Sequence, residues 1–324
     1  MEAASTSIDG NRRGVIRAAL DWVTRYPMLV VLVLLAVASE IVYPGFFSWG
    51  NLQNLASQNA AVGVVAVGMT LVIIAGGFDL SVGAGAAMGA VFYADQSGNM
   101  ALPLALLLTL LVGAGFGAIN AFFISRVGVN SFITTLATTS VFTGIALIYS
   151  NSDTVIADAA NFDFLGAGDI AGIPVPLIVL VAAFVIGELV LKLSVFGHKL
   201  FAVGGNPEAS RLAGLRVDLL KASTFIIIGV LATFAGAMLA SRVGIGQATF
   251  GATIPLDAIA VVIIGGTSLF GGEGSVWRTA VGLAILAIVN NLFNRMALDE
   301  SAQLVAKGLI VLFAVAVETR FRRN

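Results

Sequence analysis

Apolar runs long enough to cross a bilayer follow one another with few interruptions from about residue 28 to residue 318. A spanning helix needs about 20 predominantly apolar residues. Ten stretches approach that length: about 28–44, 54–75, 79–97, 102–124, 132–150, 173–193, 221–241, 256–271, 275–293 and 303–318. The second and third runs, and the eighth and ninth, are barely separated, so those boundaries are soft. The chain reads as an all-α polytopic membrane protein with about ten transmembrane helices. Charged residues make up only 11% of it, against roughly 25% in soluble domains, and the mean hydropathy is +1.00.

The order of the segments follows from their flanks. Residues 1–27 are polar and hold a basic amphipathic helix over 11–25 (NRRGVIRAALDWVTR), of the kind that lies on a membrane surface. The first apolar run carries no cleavage pattern and reads as an anchor rather than a secretory signal. A membrane domain over 28–318 follows, with a cytoplasmic connection at 194–221, and 319–324 is a cytoplasmic tail. Lys and Arg concentrate in cytoplasmic loops. With ten spans, Arg12, Arg13, Arg17, Arg25, Arg126, Lys192, Lys199, Arg211, Arg216, Lys221, Arg278, Arg320, Arg322 and Arg323 fall on one side. Only Arg242, Arg295 and Lys307 fall on the other. Both termini are therefore expected in the cytoplasm. The external loop 151–172 carries Asp153, Asp158, Asp163 and Asp169 without a basic residue, which suits either a solvated loop or a docking surface for an external partner.

Two apolar runs are cut by glycine pairs. AGGFDLSVGA (75–84) places Gly76 and Gly77 before Asp79, Ser81 and Gly83. Glycine lets the backbone turn, and an aspartate just ahead of a new helix suits an N-cap at the positive end of the helix dipole. Asp79 is expected to restart a helix, with proton or solute handling as the alternative. The second break, GGTSLFGGEG (265–274), holds Gly265, Gly266, Thr267, Ser268, Gly271, Gly272 and Glu273. LVIIAGGFDLSVG (71–83) echoes VVIIGGTSLFGG (261–272). Duplicated halves with interrupted helices are a transporter plan, although chance likeness between Gly/Val/Ile-rich segments explains the echo equally well.

Polar residues within the spans are neutral. Gln58, Asn59, Asn120, Thr134, Thr135, Thr138, Asn290 and Asn291 either bond between helices or together line a hydrated path for a small polar solute. Glu40, Glu188, Asp257 and Lys307 are placed near span ends, and no array of buried carboxylates argues for ion coupling. Gly85–Gly89 and Gly113–Gly117 have the spacing of close helix contacts. No phosphate loop of the G-x-x-x-x-G-K-[ST] type occurs, cysteine is absent, and one histidine cannot build a metal site.

The connection SVFGHKLFAVGGNPEASRLAGLRVDLLK (194–221) is too apolar for a floppy linker. Asn206 and Pro207 start a helix, Glu208 suits its first turn, Ala209 and Arg211 follow, and Leu212, Ala213 and Gly214 close it. A helix of about two turns must pack on something, either this chain or a separate cytoplasmic protein.

GGFDLSVGA, FAVGGNPEASRLAGL, LDAIAVVIIGGTSLFGGEGS and VAKGLIVLFAV, in that order over roughly 45–318, resemble the permease subunits of bacterial carbohydrate ABC importers of the ribose/xylose/arabinose/galactoside group. The resemblance implies a large ABC importer permease fold like that of the cobalamin permease. It further implies a homodimer in the inner membrane, a separate cytoplasmic ATPase that holds the ATP and Mg, and a periplasmic or lipid-anchored sugar-binding protein. The helix at Asn206–Gly214 would then be the one that couples to the ATPase. This chain itself would hold no cofactor or metal and bind no nucleic acid.

Overall fold

The computed structural model describes residues 27–322, so the amphipathic helix expected over 11–25 lies outside the described residues. The helices are α1 (Pro27–Val42), α2 (Trp49–Ile74), α3 (Val82–Ser97), α4 (Leu102–Ala121, prolonged by π-helical Phe122–Val127) and α5 (Ser131–Tyr149). They continue with α6 (Phe164–Ala167), α7 (Val175–Leu193), α8 (Val195–Gly205), α9 (Pro207–Leu212), α10 (Val217–Val243), α11 (Ile254–Ile264), α12 (Val276–Arg295) and α13 (Glu300–Arg322). Six of them are long and apolar enough to cross a membrane: α2, α4 with its extension, α5, α7, α10 and α12. The chain is a multi-pass membrane protein.

Helix α2 is the axis of the molecule. Of its most apolar 18-residue window 83% is buried, against 22–28% for α4, α5 and α7, which therefore form the perimeter. Val64, Val65, Met69, Val72 and Ile73 of α2 meet Phe225 and Ile228 of α10, Val261 of α11 and Leu283 of α12 in the main apolar core.

Small residues explain how α10 comes so close. A methyl group added at Gly113 or Gly117 of α4 would collide with the backbone of α10 at Gly229 or Phe225, and one at Gly89 of α3 with the backbone at Thr233. Both sequence pairs with four-residue spacing thus seat the same helix, the packing expected where helices lack a hydrophobic drive and approach through small residues.

The helix ends sort into two opposite poles. At one, α2 ends, α5 begins after Gly128, and α8, α9 and the start of α10 gather. At the other, β1 (Val155–Ile156) pairs antiparallel with β4 (Ile245–Gly246), with Ile156 opposite Ile245. A second ribbon pairs β2 (Asp169–Ile170) with β3 (Ile173–Pro174). The acidic 151–172 segment is thereby folded rather than loose: Gly166 N donates to Ser241 Oγ at 2.8 Å, and Ser241 Oγ donates to the Phe162 carbonyl at 2.6 Å.

Span boundaries shift where glycine acts. The eighth run, expected to reach 271, stops at Ile264. The third, expected from 79, starts at Val82, and the seventh extends to Val217–Val243.

Candidate functional site

The two predicted breaks fold the same way. After α2, Ala75 N bonds to Leu71 O, Gly76 N to Ile73 O and Gly77 N to Val72 O. After α11, Gly265 N bonds to Val261 O, Gly266 N to Ile263 O and Thr267 N to Val262 O. The second set repeats the first 190 positions later, and Gly76 and Gly266 share φ +78°. A left-handed residue just past a helix end satisfies carbonyls that would otherwise be orphaned. In a membrane this matters more, because no water replaces the lost partner. The sequence echo is thus a repeated backbone turn.

The two breaks also touch. Gly272 N donates to the Ile74 carbonyl at 2.9 Å, linking the second break to the end of α2. Gly204 of α8 sits against both, so close that a Cβ there would collide with Ile74 O and lie 2.6 Å from Gly272 N. Gly271, at φ +84°, lies against Gly204 and Gly76. Glycines from three distant parts of the chain, Gly76, Gly204 with Gly205, and Gly271 with Gly272, therefore form one junction at the first pole.

Helix α9 leaves directly from this junction. Asn206 Oδ1 accepts from Ala209 N at 2.9 Å, Pro207 occupies the first turn, and Gly214 terminates the segment at φ +83°. Ser210 is buried, while Glu208, Arg211 and Ala213 are exposed and Leu212 is 86% exposed. Arg211 pairs with Asp218 at 3.0 Å, fixing α9 against the start of α10. Replacing Asn206 by alanine removes the cap, at a cost of about 1 kcal/mol. The expected result is faster amide hydrogen exchange at Ala209 with unchanged protection in α2.

Asp79 is buried inside the first break. Its Oδ1 accepts from Ser81 N at 2.8 Å and Ser81 Oγ at 2.6 Å. Asn120 Nδ2 donates to Ser81 Oγ at 2.8 Å, and Thr138 Oγ1 to Asn120 Oδ1 at 2.7 Å. Thr135 Oγ1 accepts from Leu80 N at 3.1 Å. The carboxylate thus bonds the backbone two residues on, but α3 begins one residue after Ser81, so Asp79 braces the approach to the helix rather than its first turn. Its Oδ2 has no partner among the described residues. Asp79→Asn keeps the acceptor. Asp79→Leu leaves the Ser81 N–H and the Ser81 hydroxyl hydrogen without an acceptor, a cost of about 1–3 kcal/mol. Thermal unfolding of the detergent-solubilised chain is expected to show a lower midpoint for the leucine variant alone.

The second break restarts differently. Glu188 of α7, placed near a span end by the sequence, accepts from Trp277 N at 3.1 Å and Ser275 Oγ at 3.3 Å. It therefore caps α12 from another helix. Thr267 Oγ1 is buried without a partner among the described residues, and Ser268 N bonds to the Glu273 carbonyl.

The eight neutral polar residues do not share one surface. Asn120, Thr135 and Thr138 are committed to the first break. Thr134 Oγ1 is buried and unpartnered among the described residues. Gln58, Asn59 and Asn290 line a cavity of about 280 Å³ toward the opposite pole, together with Asp257, Asn294, Gln303 and Lys307. Asn291 instead joins Asn51 and Arg295, at 3.1 and 3.2 Å. Lys307 Nζ lies 3.2 Å from Asp257 Oδ1, with the two side chains 14% and 7% exposed. Both lie near span ends, as the sequence suggests, but the sequence does not pair them. An ionisable residue in each of two apolar runs was the available signal, since burial of either demands a partner. Among the described residues, no group of three metal-ligating side chains gathers.

Residues 51–315 match the family described as branched-chain amino acid transport system / permease component. The chain belongs to this family. The permease is 39% identical to the ribose import permease protein RbsC of Bacillus subtilis (strain 168) over 297 residues, 91% of this chain and 92% of that protein. It is 34% identical to the protein of the same name from Escherichia coli (strain K12), over 90% of this chain and 92% of the other. The L-arabinose transport system permease protein AraH of Escherichia coli (strain K12) is 35% identical, over 97% and 96%. No solved structure matches the permease. It is a transport component rather than an enzyme. The family description names amino acids while these relatives are named for sugars, so membership alone does not name the solute.

Proposed function

We propose that the chain is the transmembrane subunit of an ATP-binding cassette importer that passes a monosaccharide or related polyol inward. The reading rests chiefly on the ribose and arabinose permeases that the chain matches along nine-tenths or more of its length. In this account ten helices cross the inner membrane, the six long ones with α1, α3, α11 and α13, in a large-importer fold like the cobalamin permease. The glycine-junction pole faces the cytoplasm with both termini, in keeping with Lys192, Lys199, Arg211, Arg216 and Lys221 gathered on that side. Two copies form the translocation unit, and an extracytoplasmic sugar-binding protein docks at the pole of the acidic 151–172 segment.

Helix α9 is the coupling element. Its exposed Leu212, flanked by Glu208, Arg211 and Ala213, offers an apolar knob with a charged rim to a groove in a separate ATPase. That ATPase supplies the ATP and Mg this chain has no loop to hold. The junction lies directly behind α9, so a push on α9 reaches the end of α2 and the Gly271–Gly272 turn ahead of α12 together.

Uptake of labelled D-ribose and L-arabinose by cells making the chain tests this reading against an ion-coupled secondary transporter. Import that survives an uncoupler while ATP is maintained supports the ABC reading. Import abolished by the uncoupler under the same conditions favours ion coupling.

A further inference from the structure

The cavity between α2, α11, α12 and α13 has features that a helix packing contact does not need. Polar side chains from four helices meet there, beside Ala61, Val62, Leu239 and Ile254. Gln58 and Asn59 come from α2, Asp257 from α11, Asn290 from α12, and Gln303 and Lys307 from α13. Asn290 reaches Asn59 Oδ1 only at 3.5 Å, and its own Oδ1 is buried with no partner among the described residues. Unmet polar groups in a protein interior are costly, and in a membrane they concentrate along solute routes.

The charges in this cavity cancel. Asp257 and Lys307 contact each other through both carboxylate oxygens, at 3.2 and 3.3 Å. A net-charged solute would strand one of them. A zwitterion would have to separate them, and breaking a buried pair is strongly unfavourable. A neutral solute with many hydroxyls meets no such penalty. Each hydroxyl both donates and accepts, matching the amide groups that remain once Asn59 Nδ2 has bonded the Leu55 carbonyl and Gln303 Nε2 has bonded Asn294 Oδ1 and the Leu298 carbonyl. The volume of about 280 Å³ falls just under the roughly 300–1,000 Å³ of pockets for larger ligands, a size for one small molecule.

We infer that this cavity is a binding site for a neutral polyhydroxyl solute, held by the amides of Gln58, Asn59, Asn290 and Gln303 around the Asp257–Lys307 pair. The site lies toward the pole opposite the glycine junction: Asn290 is in the last turns of α12 and Asp257 in the first turn of α11. A solute would rest there before the junction opens. The site deepens the importer reading and rests on it for the direction of travel, but its occupancy is measurable without ATP.

The chain has no cysteine, so a single introduced thiol reports its own surroundings. Asn294→Cys, at the exposed rim of the cavity, is labelled with a maleimide in native membranes, alone or with excess D-ribose, L-arabinose, D-galactose or leucine. Asp153→Cys, exposed and outside the cavity lining, is the control. At least one sugar is expected to slow labelling of Asn294→Cys several-fold, with no effect of leucine and none at the control. Adding Asn59→Leu, or the better tolerated exposed-site change Gln58→Leu, should abolish that protection while unprotected labelling stays at its original rate. Absence of protection by all three sugars overturns the site, as does protection by leucine alone, which would assign it to a zwitterion. Sugar protection that survives both leucine variants also overturns it, by placing the sugar elsewhere. A co-purifying ATPase alongside a negative labelling result defeats the site and leaves the importer reading standing.

Discussion

Gly204→Val is expected to destroy the folded permease. The new side chain would be driven into the carbonyl end of α2 at Ile74 and the backbone of Gly272. Overpacking a core typically costs about 1–3 kcal/mol, because side chains find other rotamers. Here the obstacles are main-chain atoms of two helix breaks, which have no rotamer to change. A cost above about 3 kcal/mol follows, a large share of the roughly 5–15 kcal/mol that holds most domains together. The neighbour provides the control: a Cβ on Gly205 meets nothing within 4 Å, so Gly205→Ala should stay within about 0.5 kcal/mol of the parent. Size-exclusion profiles after graded heating report both. If Gly204→Val survives heating as well as Gly205→Ala, the three glycine segments do not meet as described.

Leu212→Asp is expected to leave the chain folded and stop transport. At 86% exposure the leucine contributes little to stability, and a surface change of this kind moves it by about 0.5 kcal/mol at most. If α9 seats in an ATPase, however, a carboxylate would enter an apolar groove. A central contact worth 2 kcal/mol or more corresponds to a loss of more than tenfold in association. Sugar-stimulated ATP turnover by the assembled importer in proteoliposomes should fall at least tenfold. Ala213→Trp and Glu208→Arg should act in the same direction, through bulk and through reversed charge. Turnover that stays at the parent rate in all three removes α9 from the coupling role, while heat stability shows that the variants remain folded.

What could be read along the chain was local. Gly76 and Gly266 mark helix stops because only a left-handed residue closes the turn after Ile73 and Ile263. Asn206, Pro207 and Gly214 bracket α9 because cap, first-turn proline and stop are fixed by spacing. What could not be read was pairing across the bundle. Periodicity gives a helix its faces but does not say which face meets which. Asp257 and Lys307 stand 50 positions apart, each near a span end, yet share one buried contact. Glu188 caps a helix that starts 88 residues later. The eight neutral polar residues separate for the same reason: Asn120, Thr135 and Thr138 hold the first break, and Gln58, Asn59 and Asn290 face the cavity. Within the 194–221 connection the sequence brackets only α9; α8 is not separated from it, because its value lies in Gly204, whose contacts are all distant.

The proposed coupling runs from an ATPase through α9 to the glycine junction. Its most direct test is affinity purification of the chain from native membranes in mild detergent after mild crosslinking, with mass spectrometry of the proteins retained. The account predicts a co-purifying cytoplasmic protein that carries a phosphate loop, crosslinked within 206–214 and lost from Leu212→Asp. A chain recovered without any ATPase, or an ATPase crosslinked only at the opposite pole, would contradict it.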